Sequence, residues 1–295
     1  MLPADTNPCF VVLANLSAVA EQAARYAAVL GAPQQTRLEL LHLYHDPVLD
    51  PELVTVTAAH TFRTQAETAA LLRQQAQQLA VPAEVKISVQ PLATAVQEGV
   101  CQGHPQLLVM GLSAEHTLLD HFLRNQALPV LRATQRPLLL VPAGTAPLPR
   151  LPRRVALAVD AEPFRLNEAA EALEPLLASW QAAYTVVHVL VPGEREAYPG
   201  QRALSHLRLS GLLPAAQPLE LYEEAHVGPA AGVLQAIADT QADLLVLITR
   251  PRSFLGRIFH ESVTAGVLRH CPVPVLLLPA RAQDHDQPAW MPGMT

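Results

Sequence analysis

The chain has 295 residues, half of them hydrophobic, with a formal net charge of -6 and a pI near 6.0. That length and apolar content suffice for two domains with cores of their own, and the acidic balance argues against a nucleic-acid partner, which needs a basic footprint. The apolar runs, such as Val273 to Leu278, are far too short to span a bilayer, and the N-terminal segment carries no charged region before a long apolar stretch, so a soluble cytoplasmic protein with no membrane contact is expected.

In chain order, Phe10 to Ala14 reads as a strand, and Ser17 as the N-cap of a helix that stops at Gly31. Leu38 to Leu43 is a second strand. The Ala-, Gln- and Leu-rich stretch from Thr57 to Ala80 reads as one long helix, ended by Val81-Pro82. Val85 to Val89 is a third strand, Ala93 to Gly103 a helix, and Leu107 to Gly111 a fourth strand. This alternation implies a parallel sheet with right-handed crossovers. Ala143 to Arg153, dense in proline, reads as a stiff linker.

The pattern then restarts. Arg154 to Val159 matches the first strand, Asn167 to Trp180 is a helix, and TVVHVLV matches ELLHLYH so that His188 falls under His42. Pro192 to Pro214 departs from the first copy, with less helical sequence and more breakers. Pro229 to Thr240 is a helix, followed by a buried strand from Leu244 to Ile248, an arginine-bearing loop, a short helix opening near Ser262, and a last buried strand from Val273 to Leu278. The same closing grammar occupies Pro105 to Pro142. Setting Leu131 under Leu268 aligns both copies at an offset of 268 − 131 = 137, which makes an internal duplication the natural reading. The expected units are residues 1–147 and 148–281, with a frayed tail at 282–295.

The first strand ending VALAVD at Asp160, the LHL and VHV strands, ADLLVL and the closing VLRHCPVPVLLLP, in this order and largely repeated, resemble a universal stress protein domain present twice. The resemblance implies two tandem doubly wound α/β domains, Rossmann-like and akin to the adenine nucleotide alpha hydrolases. Each would have a five-stranded parallel sheet in the order 3-2-1-4-5, with pairing through the last strand. Leu138, Leu139, Leu140 and Val141, and Val275, Leu276, Leu277 and Leu278, are then apolar edge strands, expected to pair within the chain as a pseudo-dimer; two chains could associate further.

The family's ATP-binding branch carries G-x-x-G-x9-G-[ST] after the fourth strand and an aspartate after the first. Glycines let backbone approach phosphate, and the following helix N-terminus favours anions. In the second copy these positions hold Ile248, Pro251, Glu261 and Ser262, with Asp160 as the aspartate. Pro251 has no amide to donate, and Glu261 sets a carboxylate where a triphosphate would lie. In the first copy Asn15 replaces the aspartate, Gly111 is retained, Ala114 stands at the second glycine, and Arg124-Asn125 replace Gly-Ser. Asp160 is either a nucleoside contact or a turn cap. Ser262 and Asn125 are either ligand contacts or N-caps, and Thr249, Arg250 and Arg252 border the crevice as anion ligands or solvated loop residues.

No nucleophile elbow, Walker lysine, dinucleotide fingerprint or Cys-x-x-Cys occurs, and Lys86 is the single lysine. His42 and His45 are three apart on a strand and cannot chelate together. Cys9, Cys101 and Cys271 fit neither a disulfide framework nor a zinc site, and read as buried or idle thiols. The leading expectation is therefore a non-enzymatic stress-response protein that binds neither metal nor, in the family manner, ATP, and that acts through a protein partner or a small ligand. The alternative is a sensor holding an adenine nucleotide, ATP or AMP, through Gly111, Ser113, Arg124 and Asn125, and a weak nucleotide hydrolase is a third reading.

Overall fold

The computed structural model describes residues 7–44, 64–98, 105–113, 127–145, 149–193, 197–226, 228–250 and 263–281. In the first half β1 (Cys9–Leu13) is followed by α1 (Ala18–Gly31), β2 (Arg37–Leu43), α2 (Gln65–Gln77), β3 (Ala83–Ser88), α3 (Leu92–Glu98), β4 (Leu107–Leu112), α4 (Leu128–Thr134) and β5 (Leu138–Pro142). The hydroxyl of Ser17 accepts from the Ala20 amide at 3.2 Å, which fixes the start of α1 as the sequence suggests. Thr64 and Glu67 form a reciprocal capping box that starts α2 at Gln65; the earlier part of the expected helix, 57–63, lies outside the described residues.

The second half runs β6 (Arg154–Ala158), α5 (Glu168–Glu171), α6 (Glu174–Ser179), β7 (Ala183–Leu190), α7 (Pro199–Leu209), β8 (Leu219–Ala225), α8 (Pro229–Thr240), β9 (Leu244–Thr249), α9 (Val263–His270) and β10 (Val275–Pro279). The single helix expected over Asn167 to Trp180 is two short ones, with Pro175 in the first turn of the second, where its missing N–H costs nothing. The same property of proline explains α7. Pro199 opens that helix within a stretch that its Pro and Gly residues made look irregular. Cysteine spacing also misled, since Cys9 is disulfide-bonded. Cys271 is a free thiol, and burial pushes its pKa up to about 11.

The strands make one ten-stranded sheet in the order β3-β2-β1-β4-β5-β10-β9-β6-β7-β8. Each half is parallel in the 3-2-1-4-5 sense, and the halves join where β5 and β10 pair antiparallel. The register is Leu138 with Leu277, Leu139 with Leu276, and Leu140 with Val275. Under the offset of 276 − 139 = 137 each residue of the first strand maps onto its counterpart in the second, and the three pairs exchange among themselves about Leu139 and Leu276. That is an isologous contact with a local two-fold at its centre, made within one chain.

Core packing follows the same continuity. Leu139 and Leu276 belong to one apolar cluster that covers one face of both half-sheets, and Leu138, Leu140, Val275 and Leu277 belong to a second cluster on the opposite face. On the first face Trp180 Nε1 donates to the Leu30 carbonyl at 3.1 Å, and Gln34 Nε2 donates to the Pro175 carbonyl at 3.1 Å. Both bonds cross between the halves, each joining the segment around 30–34 to the segment around 175–180. The Asp243 carboxylate, just before β9, accepts from the Arg153 and Arg154 amides at 2.8 and 3.1 Å and anchors the exit of the linker.

Candidate functional site

In an open parallel sheet a ligand crevice forms past the carboxyl ends of the strands, where the strand order reverses. Here that is the gap between β1 and β4 in the first half and between β6 and β9 in the second. Asn15 and Asp160 sit at the two first-strand ends, and Ser113 and Arg250 follow the two fourth-position strands at the offset of 250 − 113 = 137.

Both first-strand residues serve their own turns. Asn15 Oδ1 accepts from the Ser17 amide at 3.2 Å and the Ser17 hydroxyl at 2.6 Å, and Asp160 Oδ1 accepts from the Glu162 amide at 3.2 Å. A histidine braces each turn from the neighbouring strand: His42 Nδ1 meets the Ala14 carbonyl at 2.7 Å, and His188 Nδ1 meets the Val159 carbonyl at 3.0 Å. Their matched place in the repeat was visible in the sequence, and their job is to hold the bend after the strand.

At the second crevice Arg250 is bonded to the turn after β6. Arg250 Nη2 donates to Asp160 Oδ1 and, at 2.9 Å, to the Glu162 carbonyl; its Nη1 donates to Glu162 Oε2 at 2.8 Å and to the Pro163 carbonyl at 3.3 Å. Partial desolvation raises the pKa of Asp160 from the ordinary carboxylate value, and the adjacent Arg250 pulls in the opposite direction. Beyond the turn, residues 160–167 run as a strap to the chain leaving β10. Leu166 bridges Ala280, the Asn167 amide donates to the Pro279 carbonyl at 3.2 Å, and the Arg281 amide donates to the Arg165 carbonyl at 2.8 Å. Ala161, Phe164 and Leu166 are buried beneath it, and Phe164 and Leu166 join the core. Thr249, also buried, gives its hydroxyl to the Leu278 carbonyl at 2.9 Å.

Gly111 has a packing role. A Cβ there would lie 2.6 Å from the Val19 carbonyl oxygen, so its bare backbone is what lets α1 lie against β4. Gly111→Ala should therefore cost roughly 2–3 kcal/mol in chemical denaturation, because the obstacle is backbone and cannot rotate away. A substitution with no effect on stability would leave ligand access as the reason for this glycine. Ser113 is half-buried directly after β4. Arg124, Asn125 and Ser262 lie outside the described residues, as do Pro251 and Glu261. Among the described residues no group of three potential ligands could hold a metal ion, and no helix is long and apolar enough to cross a membrane.

The model of the universal stress protein family matches residues 10–142 and again 152–279. The chain is a tandem member of the universal stress protein family. Among solved structures, a universal stress protein from Archaeoglobus fulgidus DSM 4304 is 14% identical, with 92% of this chain and 96% of that one covered and a TM-score of 0.61. A functionally unknown protein from Pseudomonas aeruginosa PAO1 is 16% identical, with 93% of each chain covered and a TM-score of 0.54. At these identities the likeness is one of fold, and it extends over both universal stress protein halves together. No curated protein matches the chain.

Proposed function

We propose that this universal stress protein is a non-enzymatic regulatory protein whose C-terminal half does not bind ATP in the family manner. The observation that carries this reading is Arg250 seated on Asp160 and Glu162, with Phe164 buried under the same strap. A nucleotide entering there has to displace a guanidinium held by two carboxylates and two carbonyls, and to lift apolar side chains out of the core. The family's glycine positions in this half, occupied by Ile248, Pro251 and Glu261, point the same way. With its nucleoside-end aspartate committed to Arg250, the half serves as a structural and regulatory partner for the first.

A second reading, an adenine-nucleotide sensor in the first half, draws on one difference. Position 113 carries serine where its mate carries the closing arginine, and α1 starts at Ala18 without a strap like 160–167. Its contacts would be Gly111, Ser113, Arg124 and Asn125.

Thermal-shift titration with ATP, ADP and AMP, with and without magnesium, separates the two. The first reading expects no shift. A ligand at a hundred times its Kd stabilises by about 2.7 kcal/mol, which is readily seen. A shift abolished by Arg124→Glu would establish the sensor in the first half, and a shift that survives it would overturn the closed C-terminal half.

A further inference from the structure

The strap over the second crevice has two unlike fasteners. Its far end is held by the backbone: Leu166, 1% exposed, bridges Ala280, flanked by the amide bonds of Asn167 and Arg281. Its near end is fastened by Arg250, which bonds Asp160, Glu162 and the Pro163 carbonyl. There the carboxylates are solvated, with side-chain exposures of 57% for Asp160 and 72% for Glu162, while the arginine is only 22% exposed. An ion pair with exposed carboxylates is weakened by salt, whereas a buried backbone bridge is not.

We infer that Arg250 is a latch: it fastens residues 160–164 across the end of β9, and the strap opens at that end by swinging about Leu166. This rests on the reading that the C-terminal half is closed from within, and it adds that the closure is ionic and reversible. The guanidinium supplies what the strap lacks, since Pro163 has no amide to bond the sheet and Asp160 and Glu162 repel each other when unpaired. Phe164, 8% exposed, is the apolar surface that swinging uncovers. The opening is local, because the bridge at Leu166 and the hydrogen bond of Thr249 to Leu278 stay made.

Hydrogen exchange on the full chain tests the latch. Peptides spanning residues 159–166 should exchange roughly tenfold faster in Arg250→Ala than in the wild type, with Arg250→Lys between, because lysine keeps the charge but not the forked donors. The wild type should move toward Arg250→Ala as sodium chloride rises from low to molar concentration. Peptides spanning 276–281 should remain as protected as in the wild type. Unchanged exchange at 159–166 in Arg250→Ala would overturn the latch, and so would equal loss of protection at 276–281, which would mean that the whole strap detaches. Neither result depends on nucleotide, so the latch can fail while the closed half stands, and the closed half can fail in the thermal-shift titration while the latch stands.

Discussion

Replacing Leu276 with aspartate is expected to unfold the whole protein instead of separating its halves. Leu276 is 1% exposed and faces Leu139, which is fully buried, at the centre of the antiparallel pairing between β5 and β10. A carboxylate there meets only apolar neighbours, and burying an unpaired charge costs several kcal/mol even after the surroundings relax. The same cluster runs through both half-sheets, so the damage is shared by both cores. A loss of about 5 kcal/mol is comparable with the total stability of many domains. Leu276→Ala provides the comparison, expected to cost about 2–5 kcal/mol through its cavity. The two variants should differ in pH dependence. Burial raises the folded-state pKa of the new aspartate above its unfolded value near 3.9, so the charge's share of the penalty is fully present above the folded pKa and vanishes as pH falls below the unfolded one, leaving the cavity cost. Urea denaturation from pH 7 to pH 4 reads this directly. If Leu276→Asp shows a loss that is small and independent of pH, the interface is wet and the dyad is not a core.

Much of this architecture was written in the order of short motifs. The duplication shows in the gapless match of Leu131 to Leu268, and the apolar runs Leu138 to Val141 and Val275 to Leu278 carry the strands that join the halves. Both are local patterns, and local patterns survive being read one residue at a time. What escaped was non-local. Arg250 looks like any loop arginine until the fold brings it to Glu162, 88 positions earlier. The strap escaped because Asp160 to Asn167 reads as a turn before a helix, while its partners Pro279, Ala280 and Arg281 lie more than a hundred residues on. Gly111 fits a phosphate-loop motif and a packing requirement equally well in sequence, and only the position of Val19 distinguishes them. Helix α7 was obscured differently, by counting Pro199 as a breaker when the first turn of a helix is where proline fits best.

Trp180 should prove the costliest side chain to shorten outside the sheet. It is 5% exposed, and its indole N–H reaches across the join to the Leu30 carbonyl, in the last turn of α1, where carbonyls lack intrahelical partners. Trp180→Ala removes a large buried aromatic and leaves that carbonyl unpaired, for an expected loss of about 3–5 kcal/mol. Trp180→Phe keeps most of the buried area and forfeits the donor, for about 1–2 kcal/mol. The neighbouring bond between the halves, Gln34 to the Pro175 carbonyl, is the weaker one. Gln34 lies at the exposed rim, where water replaces its bond, so Gln34→Ala should cost less than about 1 kcal/mol. The inequality has a consequence for cooperativity. With the tryptophan in place both halves should unfold in a single transition, and Trp180→Ala should lower the coupling enough for two transitions to resolve in calorimetry. Equal and small effects from the two substitutions would mean that the coupling between the halves is carried elsewhere, chiefly by the β5–β10 pairing.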